Sequence, residues 1–354
     1  MATIGIGLAG FGTVGAGVYH NLATNGVLLS QRTGHTLEVR RVALRDPAKS
    51  RAIMPPPEIV TTHWEDVVAD PNVQIVVELM GGIDAPLALF RTAILAGKPV
   101  VTGNKALLAE HGAELFALAA QKRVPIFYEA AAAGGIPIIK AMREAFVASH
   151  IIRIAGIING TSNFILSRMS ELGETYAQSL AEAQRLGYAE ADPTLDINGW
   201  DAGHKAIILA SLAYGFWVPT SGAHVEGIDQ VTAADIRFAK QLGYTIKPLA
   251  VIRAGADQEV EVRVHPALVP RTHVLASVNG VFNAVMVHGD VVGETLFYGR
   301  GAGQDPTASA VMRIWRKPLL SWRDRPVPAS GLRRIHFTDV ANLPIKPCAH
   351  FTCD

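Results

Sequence analysis

The amino-acid sequence predicts an α/β protein: a doubly wound parallel sheet, then a second domain of α+β type. Three observations predict it. Short apolar runs alternate with helical patterns through residues 1–134, and that alternation implies parallel strands joined by right-handed crossovers. A glycine-rich turn falls between the first apolar run and the first helical pattern. From residue 135 the rhythm changes to clustered helices followed by alternating strands, the signature of a separately packed layer.

The elements follow in order. TIGIGLAG is a buried strand, and VGAGVYHNLAT the helix after it. EVRRVALRD is a second strand and VQIVVELMG a third. APLALFRTAILAGK is a helix closed by Gly97, a residue suited to the left-handed cap position. KPVVTGNK is a fourth short strand and turn, ALLAEHGAELFALAAQKR a helix, and VPIFYEA a fifth strand. In the second domain, 135–303, GIPIIKAMREAFVAS reads as a helix and IIRIAGIIN as a strand. Three helical segments come next: NFILSRMSELG, YAQSLAEAQRLG and AGHKAIILASLAYGF. Thr232 with Asp235 is a capping box opening ADIRFAKQLG. EVEVRVHP and FNAVMVHG alternate as strands. A helix around 304–318 returns to complete the first domain, and 319–354 reads as a Pro- and Arg-rich tail.

Composition narrows the function. The 354 residues are 49% hydrophobic and 18% charged with a net charge of +1, which describes a well-packed globule. Without a Lys/Arg run or a basic-aromatic patch, nothing points to nucleic acid. The longest apolar stretch near a helix, AIILASLAYGFWVP, has 14 residues, too few to span a bilayer. Met1 leads directly into a strand pattern with no basic n-region, so no signal peptide is expected. The two cysteines, Cys348 and Cys353, lie in the last seven residues. That excludes a disulfide framework and a thiol nucleophile in the body of the protein, and favours a reducing cytoplasm.

GFGTVG places Gly10, Gly12 and Gly15 in a GxGxxG pattern with Phe11, Thr13 and Val14 between them. Between a first strand and a first helix this is the phosphate-binding turn of a Rossmann-type fold. The first glycine allows the tight turn, the second the approach of a pyrophosphate and the third helix–strand packing. The helix N-terminus then offers N–H groups to the phosphates. The ribose-reading position carries Leu44-Arg45-Asp46 with Lys49 behind. Arg45 and Lys49 suit a 2′-phosphate, so NADP is favoured and NAD stays open. The charges also fit an ordinary solvated turn.

LGYAEADPTLDINGWDAGHK (186–205) sets Glu190, Asp192, Asp196 and Asp201 ahead of Lys205. Asp201 and Lys205 share a helix face. Two readings stand: Asn198 as N-cap, with Asp201 completing it and Lys205 in a surface ion pair, or a catalytic couple. Asp192 precedes Pro193 and reads as turn chemistry. Lys105 follows the fourth strand on the carboxyl edge of the sheet, where open α/β sheets bind ligands. Gly160 and Thr161 open a helix whose N–H groups suit a carboxylate, or are simply capped by Asn159, Thr161 or Ser162.

Seven segments together resemble the homoserine dehydrogenases, in order and spacing: GFGTVG, ELMGG (78–82), TGNKALLAEHG (102–112), EAAAAGGIPII (129–139), INGTSNFIL (158–166), 186–205, and GRGAGQDPTASAV (299–311). The resemblance implies an NAD(P)-dependent oxidoreductase interconverting L-homoserine and L-aspartate 4-semialdehyde, in threonine and methionine biosynthesis. It implies a homodimer or homotetramer, with the second domain serving catalysis and dimerisation. It assigns Lys205 and Lys105 to catalysis, and Glu190, Asp196, Asp201, Tyr188, Gly160 and Thr161 to the substrate. Two neighbouring lysines would lower each other's pKa, which suits proton transfer. Gly301, Ala302 and Gly303 resemble a loop crossing the nicotinamide. Glu129 with the carbonyls of Ala132, Gly134 and Ile136 matches a monovalent-cation site, often sodium. Many members continue into a regulatory ACT domain, and this sequence stops at Asp354. A dehydrogenase for a related amino or hydroxy acid, or a nucleotide sensor on the same fold, is the competing expectation. Aspartate-semialdehyde dehydrogenase is disfavoured, because no cysteine precedes residue 348.

Overall fold

A computed structural model describes residues 1–255 and 259–313. Cys348, Cys353, the tail 319–354 and the last residues of the helix expected over 304–318 lie outside the described residues. The chain forms two compact units, one of residues 1–137 with 302–313 and one of residues 138–301, among those described.

The first unit begins with β1 (Ala2–Ala9), whose Ile4, Ile6 and Leu8 are buried in the core. Each such side chain contributes about 1.5–3 kcal/mol by leaving water. There follow α1 (Thr13–Thr33), β2 (His35–Ala43), β3 (Val60–Thr61), α2 (Trp64–Ala69), β4 (Ile75–Glu78), α3 (Asp84–Leu95), β5 (Val100–Thr102), α4 (Lys105–Lys122) and β6 (Ile126–Phe127). All six strands are parallel, in the order β3-β2-β1-β4-β5-β6. This is the Rossmann-type doubly wound order, with its switch point between β1 and β4.

Three local expectations need correction. The first helix runs to Thr33 instead of ending near Thr24. Gly26 does not stop it, because a helical glycine costs only about 1 kcal/mol. The stop is Gly34, left-handed at φ 75°, whose N–H bonds to Ser30 O. The second strand ends at Ala43 instead of Asp46, and Leu44 N–H bonds to Thr61 O before the chain turns away. The third strand and α2 were not expected, since two residues are too few to show alternation.

The second unit contains α5 (Ile138–Glu144), β7 (Ile151–Ile157), α6 (Gly160–Leu172), α7 (Tyr176–Arg185), α8 (Thr194–Ile197), α9 (Trp200–Tyr214), β8 (Ala223–Val225), α10 (Ala233–Gln241), β9 (Tyr244–Ala254), β10 (Val260–Pro270), β11 (Phe282–Gly289) and β12 (Gly293–Arg300). Its mixed sheet has the order β12-β11-β7-β9-β10-β8, with only β8–β10 parallel. The Thr232–Asp235 capping box is present. The longest unexpected strand, β9, carries Lys247 and Pro248, which argue against a central strand. In the sheet Pro248 faces Pro266 of β10, so both missing donors fall on one rung. Lys247 is 1% exposed, and its Nζ donates to Val278 O and Asn279 Oδ1, each at 2.6 Å. Asn163 Nδ2 donates to the carbonyls of Val278, Gly280 and Phe282. These bonds latch the segment entering β11.

The last described helix, α11 (Gln304–Met312), belongs to the first unit and packs on α1 at Gly17. A Cβ at Gly17 would lie 2.8 Å from Gln304 Cγ and 3.3 Å from Ala308 Cβ. Among the described residues, no helix is long and apolar enough to cross a membrane.

Candidate active site

In the first unit the carboxyl ends of β1 and β4 open side by side at the switch point. Gly10 N–H bonds to Ala43 O at 2.9 Å and Leu79 N–H to Ala9 O at 2.7 Å, which fixes the two loops. The three glycines of the turn have different reasons for being glycine. Gly10 stands at φ 101°, and a Cβ there would collide with the Leu79 backbone. A Cβ on Gly15 would collide with Gly10 O. A Cβ on Gly12 would meet no protein atom within 4 Å. Among the described residues nothing demands glycine at position 12; open space beside a helix N-terminus with no acidic residue in its first turn fits a pyrophosphate.

The other nucleotide-contact candidates are distributed as follows. Thr13 is exposed, and Val14 is half-buried against the core. Phe11 is buried with its ring edge-on to Tyr19, so only its main chain faces the turn. Arg45 and Lys49 are exposed on the turn after β2. Arg51, which sequence reasoning did not single out, ties that turn to the glycine loop. Its Nε donates to Phe11 O at 3.2 Å, and its Nη1 to Asp46 O at 2.9 Å and Lys49 O at 2.8 Å. Gly303 caps α11 at φ 120°, a conformation that favours glycine.

Lys105 is the first residue of α4 and half-buried. Its placement rests on a group that sequence reasoning missed. Glu78 is fully buried at the end of β4. Its carboxylate accepts from Thr102 Oγ at 2.6 Å and Met80 N–H at 2.8 Å. Burial raises the Glu78 pKa, against the opposing hydrogen bonds from Thr102, Met80, Gly81 and Asn104. Asn104 caps α4, its Oδ1 accepting from Leu107 N–H, and its Nδ2 donates to Gly82 O at 2.8 Å. The ELMGG and TGNK loops are thereby one hydrogen-bonded structure.

Glu129, Ala132, Gly134 and Ile136 also lie in the first unit, around a sharp bend with Ala133 at φ 52° and Gly134 at φ 33°. Arg313 faces the same bend. Its Nη1 approaches Gly134 O at 3.5 Å and Glu129 Oε1 at 3.9 Å, and its Nη2 donates to Gly135 O. Arg313 thus brings positive charge to this oxygen set, although its Nη1 stands beyond hydrogen-bond distance of Glu129 Oε1.

The second unit holds a compact polar cluster centred on Asn159, the N-cap of α6. Asn159 Oδ1 accepts from Ser162 N–H at 2.7 Å, and its Nδ2 donates to Asp196 Oδ1 and Asp201 Oδ2, each at 2.7 Å. Lys205 Nζ donates to Asp201 Oδ2 at 2.6 Å and to Ile158 O at 2.8 Å. Ser162 Oγ donates to Asp196 O at 2.8 Å. Asp196 is pushed above the usual aspartate range by burial and by the neighbouring Asp201 charge, against opposition from Asn159, Lys205 and Thr161. The side chains of Lys205 and Asp201 are only 11% and 9% exposed, which overturns the surface-ion-pair alternative. Asn198 is not the N-cap of α9 either. That position is Gly199 at φ 87°, and Asn198 Oδ1 accepts from Trp200 N–H instead.

Other candidates stand further from this cluster. Glu190 is exposed and not bonded into it, unlike Asp196. Thr161 Oγ donates to Tyr188 O at 2.8 Å, so the hydroxyl braces the 186–190 turn. Tyr188 is exposed, its ring edge-on to Phe164 at 5.0 Å. Gly160 begins α6, where a Cβ would press on Val281 O. Asp192 Oδ1 accepts from Thr194 N–H, as a turn residue does.

A switch-point crevice shaped for a dinucleotide, joined in one chain to a buried ammonium–carboxylate–amide cluster, defines an oxidoreductase that uses a nicotinamide nucleotide. The profile of the homoserine dehydrogenase NAD-binding domain matches residues 10–129, and that of homoserine dehydrogenase matches residues 137–313. The chain belongs to the homoserine dehydrogenase family. It is 46% identical over 351 residues to a homoserine dehydrogenase of Pseudomonas aeruginosa, covering 98% of this chain and 80% of that one. The crystal structure of a homoserine dehydrogenase from Thiobacillus denitrificans superposes with a TM-score of 0.88 at 48% identity, over 92% of this chain and 75% of the other. A hyperthermophilic archaeal homoserine dehydrogenase in complex with NADPH gives 0.77 at 29% identity, over 90% and 98% of the two chains.

Proposed function

We propose that the chain oxidises L-homoserine at its C4 alcohol to L-aspartate 4-semialdehyde, and reduces the aldehyde in reverse, with NADP(H) preferred and NAD(H) accepted. The observation that carries this is the cluster of Lys205, Asp201, Asn159 and Asp196. It sets one proton-carrying amine beside acids suited to an α-ammonium. A loosely held charge pair gains little in water, whereas hydrogen-bonded partners with fixed geometry discriminate.

In reduction, the Lys205 ammonium donates a proton to the aldehyde oxygen as the C4–O double bond becomes single. In oxidation, the neutral amine takes the hydroxyl proton, directly or through one water. The nicotinamide, when bound, supplies or removes the C4 hydride. Asp201 and Ile158 O aim the Lys205 amine. Asp196 and Glu190 receive the substrate ammonium, with Tyr188 alongside. The main-chain N–H groups of Gly160 and Thr161, at the start of α6, take the α-carboxylate. Lys105 balances the substrate carboxylate or the charge developing on oxygen. Gly10 to Gly15 and Gly303 receive the nucleotide, and Arg45 and Lys49 a 2′-phosphate. No step passes through a cation at the Glu129 bend.

On this reading the first unit holds the nucleotide, while the second holds the substrate and forms a homodimer or homotetramer in the cytoplasm. The test is nicotinamide absorbance on adding homoserine with either nucleotide, across neutral to alkaline pH. Turnover with homoserine supports the assignment, and R45A with K49A should raise KM for NADP while sparing NAD. Silence with both nucleotides would indicate a sensor on this fold.

A further inference from the structure

The bend at 129–136 brings oxygen chemistry suited to a hard cation: the nearly buried Glu129 carboxylate, and main-chain carbonyls around two left-handed residues, Ala133 and Gly134. Arg313 Nη1 lies 3.5 Å from Gly134 O and 3.9 Å from Glu129 Oε1, and Nη2 donates to Gly135 O. We propose that Arg313 is a tethered substitute for a monovalent cation, holding this bend closed whatever salt surrounds the protein.

Charge, geometry and anchoring support it. A guanidinium spreads its charge over several donors in a plane, so it can bond the two carbonyls while its charge faces the Glu129 carboxylate at ion-pair distance. A second cation among the same oxygens would stand beside the guanidinium and be repelled. Arg313 follows directly on α11, whose Ala308, Ala310 and Val311 are fully buried. Its main chain is therefore anchored in the core, and a tethered charge keeps its local concentration when free cations are removed. Burial lowers the Arg313 pKa and Glu129 opposes that shift. Arg313 is a positioning residue, acting through the bend and not on substrate.

The test compares thermal unfolding of the wild-type chain, R313A and R313Q in sodium, potassium and tetramethylammonium chloride at equal ionic strength, with sodium-23 line broadening as a second readout. The wild-type Tm should be the same in all three salts, with no saturable broadening. Either variant should gain a saturable, sodium- or potassium-specific rise of roughly 5 °C at about 100 times its Kd. Folding of an otherwise unfolded variant by sodium or potassium would also support the proposal. Saturable sodium stabilisation of the wild type would overturn it, and so would two variants with no cation-specific response. Neither readout depends on homoserine turnover, so this result stands apart from the catalytic assignment.

Discussion

Asp201 Oδ2 lies 2.6 Å from Lys205 Nζ, one helical turn away on α9, and accepts at the same time from Asn159 Nδ2 at 2.7 Å. One oxygen thus fixes both the amine and the amide that reaches Asp196. The couple is buried, so its members depend on each other more than a surface pair would.

Lys205→Ala should lower kcat by about two to four orders of magnitude, the usual contribution of general acid–base catalysis. Asp201→Ala should lower kcat as well, by releasing the Lys205 amine, and should cost about 3–5 kcal/mol of stability by leaving a buried ammonium without its acid. Steady-state kinetics and chemical denaturation on both variants measure the two effects. Near-normal turnover in K205A would remove Lys205 from the proton path.

Asp196 protonates at a higher pH than an ordinary aspartate. As pH falls through its raised pKa, its grip on the substrate ammonium should weaken, and KM for homoserine should climb on that limb. For stability the sign is opposite. A raised carboxyl pKa favours the fold at low pH, and the advantage is lost as pH rises from the unfolded value to the folded one. The D196N variant should lose the acidic limb in KM. A KM profile unchanged by D196N would detach Asp196 from the ammonium.

Gly12→Ala should leave the Tm within about 1–2 °C of wild type, since no atom of the described residues lies within 4 Å of the new methyl. Nucleotide Kd should weaken by about tenfold or more, as roughly 1.4 kcal/mol is tenfold. Gly15→Ala should lower the Tm itself, because its Cβ meets Gly10 O. Calorimetry and nucleotide titration on both variants would show whether fold and ligand demands separate in this way. Equal Tm losses would contradict it.

Burial pushes Lys247 down to about 8 from 10.5. A lysine with a depressed folded pKa destabilises the native state below that value. The penalty is relieved as pH rises from about 8 to 10.5, where the unfolded chain binds more protons. Stability of the wild type relative to Lys247→Met should therefore rise across that window, by up to about 3 kcal/mol. Urea melts at stepped pH would reveal the slope, and a flat difference would refute it.

The parallel sheet was legible because its strands are short apolar runs with glycine punctuation, and the 186–205 segment because its acids crowd toward one lysine. What stayed hidden is what pattern cannot carry. Asn159 reads as a helix cap, and it is one, yet the same amide bridges Asp196 and Asp201 through contacts far apart in sequence. Glu78 ends an apolar strand like any solvated acid would; only the fold shows its two oxygens buried beneath the loops on either side of it. Strand β9 escaped notice because Lys247 and Pro248 contradict strand propensity, and their tertiary partners outweigh that local preference. Arg313 gains meaning only from carbonyls more than a hundred residues earlier in the chain.

The crevice between β1 and β4 is floored by peptide groups tied to one another, Gly10 N–H to Ala43 O and Leu79 N–H to Ala9 O. A ligand resting there meets amides that every residue but proline supplies. Side chains on the outer rim can therefore change without altering the seat, provided the two collision-bound glycines and the open Gly12 persist. On the proposed assignment, a change of nucleotide would fall to Arg45 and Lys49 on the exposed turn after β2, with the foundation untouched.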